Sequence, residues 1–221
     1  PATTQHSLSQ TAGLTYGGLL PGLERLVDAA YQHVGVVRGD GETLMEFADK
    51  LGRVPLLYEP GSKWCYSLAT DVCGALVEII SGQPFEQFLQ ERLFAPLGMR
   101  DTGFRVSDDQ LDRFAACYVR GPDKRLLLED DPETSHYRHK RNFFSGGGGL
   151  VGTTSDYMAF CEMLRQGGRY QGTQILGRRT LELMTANHLL QGQSLAEMAL
   201  GAFSETTNAG EGVGLGCAST L

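Results

Sequence analysis

The chain has 221 residues, 41% of them hydrophobic, with a formal net charge of −7 and 20% charged residues. That length allows one large or two small domains with a sizeable core, and the acidic balance argues against a general binder of nucleic acid or of anionic membrane. No apolar run approaches the length of a membrane span.

Gln5 to Gly13 reads as a short polar helix with a glycine stop. The glycine-rich stretch up to Pro21-Gly22 reads as a loop. Leu23, Leu26, Val27, Ala30 and Tyr31 have helical spacing, residues 35–41 break that run, and Leu44 to Leu51 restarts a short helix with Phe47 and Ala48 inward. Pro60-Gly61 marks a turn. After it, Ala69, Val72, Cys73, Leu76, Val77 and Ile80 step by three and four, which predicts a buried helix stopped by Ser81-Gly82. Pro84 suits a helix start. Phe85, Phe88, Leu89, Leu93 and Phe94 then continue at helical spacing until Pro96 and Gly98. Two helices joined so tightly pack as an antiparallel or steeply crossed pair.

From Val106 to Asn142 the chain turns polar. Apart from Leu126-Leu127-Leu128, which fits a short strand, this is a long connection with little structure of its own; such loops are usually functional or mobile. Four glycines, Gly146 to Gly149, come next. Thr154 is placed to cap the next helix, whose inward face reads as Tyr157, Phe160, Cys161 and Leu164, with Gly167-Gly168 as its stop. Residues 180–185 give another short helix. The tail from Gly210 reads as the start of a strand with no partner left in the chain.

Few residues stand out for chemistry. Tyr66 sits where a turn hands the chain to a buried helix, so a rigid element aims its side chain while the tip can face a cleft. A catalytic phenol, acting as base or proton shuttle, is one reading; a core tyrosine with a satisfied hydroxyl is the other, and the commoner fate. The five cysteines form no C-x-x-C pair, which points to a reducing, cytoplasmic setting rather than a disulfide framework. No signal-peptide pattern opens the chain. His136 and His139 lie among Arg138, Lys140 and Arg141 without a third ligand, so no metal and no cofactor is expected there. Gly147, Gly149 and Gly152 formally satisfy G-x-G-x-x-G, but no β-run precedes them and no acidic residue lies at the required distance beyond them. The glycines serve instead to let the backbone pass close to something bulky.

Taken in order, several stretches resemble one family. Glu59-Pro60-Gly61-Ser62-Lys63-Trp64-Cys65-Tyr66-Ser67, with Asp71-Val72 and Gly74, resembles the second motif of the serine β-lactamase-like hydrolases. These include class C β-lactamases, D-alanyl-D-alanine carboxypeptidases and family VIII carboxylesterases. Phe94-Ala95-Pro96-Leu97-Gly98-Met99 and Asp101-Thr102-Gly103-Phe104 are similar to the loop that comes after it in those proteins. Ser145 to Asp156 resembles the family's glycine-rich turn, and His6 to Leu14 the segment after its nucleophile helix. Asp131 to Ser135, with Tyr137, fits the esterase branch best.

The resemblance implies an α+β, β-lactamase/transpeptidase-like fold, here mostly its helical region with an incomplete antiparallel sheet. It implies a serine of an S-x-x-K motif attacking an ester or lactam carbonyl, with lysine and tyrosine sharing the proton transfers. Such a hydroxyl needs an adjacent base, and backbone N–H groups would hold the oxyanion. Tyr66 becomes the expected catalytic residue. Trp64, Ser67, Gly147, Gly148 and Tyr137 are the expected substrate contacts. The expected partner is a small ester or lactam.

Two departures matter. No serine here has lysine three residues on, so residues 1–221 read as the middle of such a domain, with 106–145 as a polar insertion bordering the cleft. The nucleophile segment and the last strands are expected to lie outside it, leaving surfaces open to self-association. Leu68 stands where lactamases carry an amide-bearing asparagine, which favours a carboxylesterase. A β-lactamase, a carboxypeptidase and a non-catalytic ligand-binding homologue remain as rivals. Trp64 and Tyr66 are expected near the glycine turn.

Overall fold

In the computed structural model, described for residues 1–16, 25–36, 41–199 and 210–220, the chain is built around one small-residue helix. That helix is α4 (Ala69–Ser81); before it come α1 (Thr4–Leu8), α2 (Arg25–Val34) and α3 (Leu44–Leu51). Ala69, Gly74 and Ala75 are buried along α4, so α1 and α3 approach it closely. α3 starts on a reciprocal cap: the Glu46 N–H donates to Thr43 Oγ1 while the Thr43 N–H donates to the Glu46 carboxylate. α4 ends at Gly82, whose left-handed φ of 68° closes the helix. The main core collects Phe47, Leu44, Leu51, Leu68, Ala75 and Phe143 among others. Phe47 and Phe143 meet edge to face at 5.2 Å.

The sequence expectation of one helix from Phe85 to Phe94 is corrected. α5 (Phe85–Leu89) passes into a π-helical turn, Gln90–Phe94, and then α6 (Ala95–Leu97). A π turn inserts one residue and rotates the helical segment beyond it. Phe94 and Leu97 thereby join Met99, Ala159 and Met163 in a second core against α7 (Thr154–Arg165). α7 is capped by Thr153, not Thr154: the Asp156 N–H donates to Thr153 Oγ1. Its buried residues are Asp156, Ala159 and Met163, while Tyr157 is exposed, contrary to the expected inward face. Ile80 is likewise 82% exposed, because the last turn of α4 runs past the core.

The polar stretch after Val106 is more structured than its composition suggests. β1 (Cys117–Arg120) and β2 (Leu126–Asp130) form an antiparallel hairpin, with Leu126 paired to Arg120 and Leu128 to Tyr118. β3 (Arg169–Tyr170) pairs with β4 (Thr173–Gln174). Beyond them lie α8 (Arg178–Thr185) and α9 (Leu195–Met198). The tail does find a partner: β5 (Glu211–Val213) pairs with β6 (Ala218–Thr220). The sheet content of the described residues is therefore separate two-stranded antiparallel ladders beside a dominant helical region. Among the described residues no helix is long and apolar enough to cross a membrane.

Candidate active site

Two extended segments build the wall that carries Tyr66. The Leu57, Gly61, Cys65 and Leu68 N–H groups donate to the carbonyls of Gly13, Thr11, Gln10 and Thr15 at 2.8–3.2 Å. Gly13 has φ 85°, and a Cβ there would lie 2.5 Å from the Tyr58 carbonyl oxygen, so this approach requires glycine. Residues 9–15 are buried by the pairing. On the facing segment Trp64, Cys65 and Ser67 are buried, whereas Tyr66 is 40% exposed. Its ring lies flat on that of Tyr16, with centroids 5.4 Å apart and planes 3° from parallel. The phenol thus leaves the wall on a fixed aromatic base.

The residues beside Tyr66 have other neighbours. Ser67 Oγ donates to Gln10 Oε1 at 2.6 Å and accepts from the Ala69 N–H at 3.3 Å, deep inside the wall. Trp64 packs with Leu189, Leu195, Met198, Ala199 and Val213, and its backbone N–H donates to the Met198 carbonyl. Leu68 is buried in the main core.

The glycine turn closes on the first turn of α4, which begins three residues beyond Tyr66. A Cβ at Gly146 would sit 2.1 Å from the Thr70 carbonyl oxygen, and one at Gly74 would be 3.3 Å from Gly146 Cα. The contact is backbone to backbone, which only glycine permits. Asp71, fully buried, fixes it. Ser145 Oγ donates to Asp71 Oδ1 at 2.5 Å, and the Gly147 N–H donates to Ser145 Oγ at 3.0 Å and, more weakly, to Asp71 Oδ1 at 3.4 Å. Burial, and next the Asp71 carboxylate, pushes the nearby Cys73 thiol up to about 11, so Cys73 stays protonated at neutral pH and is a poor nucleophile.

Of the sequence-predicted contacts, Tyr137 and Gly148 share a cavity of about 260 Å³ with Ser145. Gly147 lies behind it against Asp71, and Trp64 and Ser67 belong to the wall on the Tyr66 side. Sequence reasoning missed the Tyr16–Tyr66 stack and the Asp71–Ser145 bond. A partial signal for the second existed: Asp71 is an acidic residue in the first turn of a helix that the sequence predicts to be buried. Among the described residues no group of three His, Cys, Asp or Glu is placed to hold a metal ion.

A half-exposed tyrosine stands just ahead of α4, and the glycine turn packs on the first turn of that helix. The β-lactamase family model matches residues 1–218, and the chain belongs to that family. It is 33% identical over 182 residues to the esterase EstB of Burkholderia gladioli, covering 74% of this chain and 44% of EstB. The solved structure of EstCE1, a hydrolase with promiscuous acyltransferase activity, superposes with a TM-score of 0.76 at 31% identity, covering 100% of this chain and 56% of that one. Unliganded simvastatin synthase LovD from Aspergillus terreus gives 0.70 at 27% identity, covering 100% and 52%. The chain thus spans about half the length of the relatives it matches. The fold is β-lactamase/transpeptidase-like, and the relatives include proteins named as an esterase, acyltransferases and putative D-alanyl-D-alanine carboxypeptidases.

Proposed function

We propose that this chain forms the tyrosine-bearing part of a serine carboxylesterase that cleaves small esters through an acyl-enzyme. The observation that carries the reading is Tyr66, the half-exposed member of a buried segment, held on Tyr16. The reaction needs a serine–lysine pair at S-x-x-K spacing, which no position in these 221 residues supplies. The serine Oγ bonds to the ester carbonyl carbon, and its proton passes to the lysine–tyrosine pair. The Tyr66 hydroxyl then returns a proton to the departing alkoxide as the C–O bond breaks. Water releases the acid by the same route in reverse. Leu68 supports ester over lactam, since a buried leucine offers no amide to hold a lactam substrate. The polar segment 106–145 borders the cleft in this reading, with Tyr137 and Gly148 on the substrate side of the Ser145 cavity.

The test uses protein expressed from the full native reading frame. Tyr66→Phe should lower kcat on a short-chain p-nitrophenyl ester by about 10²–10⁴ with KM little changed, the usual worth of positioned proton transfer. A loss confined to KM would reduce Tyr66 to a binding group. These 221 residues alone should give no turnover above background. Hydrolysis by them that a serine-directed inhibitor abolishes would overturn the reading, because a serine within them would then be the nucleophile.

A further inference from the structure

The β1–β2 hairpin is exposed where its composition asks for cover. All of β1 and the first four residues of β2 lie open, yet Tyr118, Val119, Leu126, Leu127 and Leu128 are apolar, and Leu126 is 71% exposed. A two-stranded hairpin by itself is marginal in water. Among the described residues no third strand pairs with either edge, and an open apolar edge is a template for another strand.

The turn fixes which way the main chain of β2 points. The Gly121 N–H donates to the Arg125 carbonyl at 2.8 Å. Antiparallel pairs alternate between those that exchange main-chain hydrogen bonds and those that do not. Counting from that bond, Val119–Leu127 is a bonded pair, whereas Arg120–Leu126 and Tyr118–Leu128 are not. Leu126 and Leu128 therefore turn their N–H and C=O groups outward, along the outer edge of β2. Their side chains share one face with Tyr118, and Leu127 shares the other with Val119.

We propose that this edge is the interface of a symmetric homodimer, in which two copies of β2 pair antiparallel and the hairpins join into one four-stranded sheet. Outward-facing residues must oppose outward-facing residues, so the register moves only in whole steps. Leu126 opposite Leu128 of the second copy gives two reciprocal sets of main-chain hydrogen bonds. It puts the two Leu127 residues opposite each other on the twofold axis, and Arg125 opposite Glu129 at both ends. One step either way sets Leu127 against Arg125 or against Glu129. The stretch Arg125-Leu126-Leu127-Leu128-Glu129 thus complements its own reverse, basic at one end and acidic at the other. The outer edge of β1 does not, since Cys117 to Arg120 offers no acid to Arg120. Within the chain, Arg125 Nε lies 3.5 Å from Asp123, both well exposed, and Glu129 takes a long 3.8 Å contact from Cys117 Sγ. Exposed contacts of this kind hold a side chain weakly. The charges select the register, while the leucines and the main chain supply the affinity.

The test uses protein expressed from the full native reading frame, so that any cover supplied by the rest of the chain is present. Sedimentation equilibrium should show a dimer. Arg125→Glu or Glu129→Arg alone sets like charges against each other at both ends and should raise the dimer Kd by about 10-fold or more; the two together should return it close to wild type. In a Cys117→Ser background, Leu127→Cys should form an intersubunit disulfide with oxidised glutathione, located by peptide mass spectrometry. Non-bonded antiparallel partners stand about 4.5 Å apart at Cα, within disulfide reach. Leu126→Cys should not form one, because its two copies lie on a diagonal of about 7–8 Å or more. A full-frame protein that stays monomeric at its highest soluble concentration would overturn the proposal, as would a dimer whose Kd ignores both charge reversals. A disulfide that forms as readily at Leu126→Cys as at Leu127→Cys would refute the register, and the interface with it.

Discussion

Gly146→Ala should be among the most damaging single methyls in the described fold. The new Cβ would meet the Thr70 carbonyl oxygen at 2.1 Å and Gly74 N at 3.1 Å, both backbone atoms inside a helix that cannot swing aside. The glycine turn must therefore retreat by more than about 1 Å to reach ordinary contact. Overpacking of this kind costs about 1–3 kcal/mol. The retreat also pulls Ser145 from Asp71, and a buried group that loses its partner costs about 1–3 kcal/mol more. Together these give roughly 2–6 kcal/mol. With an m-value of about 2 kcal/mol per M, the urea midpoint should fall by roughly 1–3 M. Gly172→Ala is the control: φ there is 84° with nothing within 4 Å, so only the left-handed backbone penalty of about 1–2 kcal/mol applies. Urea titrations followed by far-ultraviolet circular dichroism compare the two. If Gly146→Ala proves no less stable than Gly172→Ala, the turn does not pack on α4 as described.

Other outcomes are sharper in sign than in size. Thr153→Ala should cost about 1 kcal/mol through the lost cap of α7, and Thr154→Ala close to nothing; the reverse order of midpoints would restore the cap to Thr154. Alkylation by iodoacetamide at pH 8, read by peptide mass spectrometry, should label the exposed Cys117 well before Cys73, whose thiol is raised to about 11; equal rates would contradict that burial. Arg113, by hydrogen bonds to both oxygens of Asp101, holds that carboxyl below the usual carboxylate range. A depressed folded-state pKa stabilises above the unfolded value, about 4, and the gain is lost as pH falls through the folded value. The midpoint difference between wild type and Arg113→Met should therefore be present at pH 6 and shrink as the pH falls below about 4; a difference that grows on acidification would refute the pairing.

The helix α3 was legible because its apolar spacing reports a buried face directly; α4 was legible as a helix, but of its expected inward face only Ala69 is buried, and the close packing falls on Asp71, Gly74 and Ala75. Ile80 misled because periodicity continues to the end of a helix whether or not a core still lies beside it. The π turn at Gln90–Phe94 left no trace, since its residues are as good helix formers as their neighbours. The adjacent threonines Thr153 and Thr154 are equally good caps on paper; which one caps depends on where Asp156 turns its N–H. The tail from Gly210 was legible as a strand, but its fold-back into the β5–β6 hairpin was not, because three-residue strands are too short to separate in a pattern. Tyr66 stood out by its place between a turn and a helix, and the motif resemblance made it the expected catalytic residue. Its partner Tyr16 and the bond between Asp71 and Ser145 join parts of the chain that no local pattern connects.

That last bond spans 74 residues of chain, and the interlaced wall pairs residues 10–15 with 57–68. Helix α4 can form early from local contacts, but its first turn reaches its final setting only when the glycine turn arrives from far along the sequence. Closing so long a loop is costly before any contact repays it. The ground around the candidate proton shuttle is thus assembled late in folding. A chain emerging from the ribosome must extend through residues 67–145 before the buttress that holds the first turn of α4 can form.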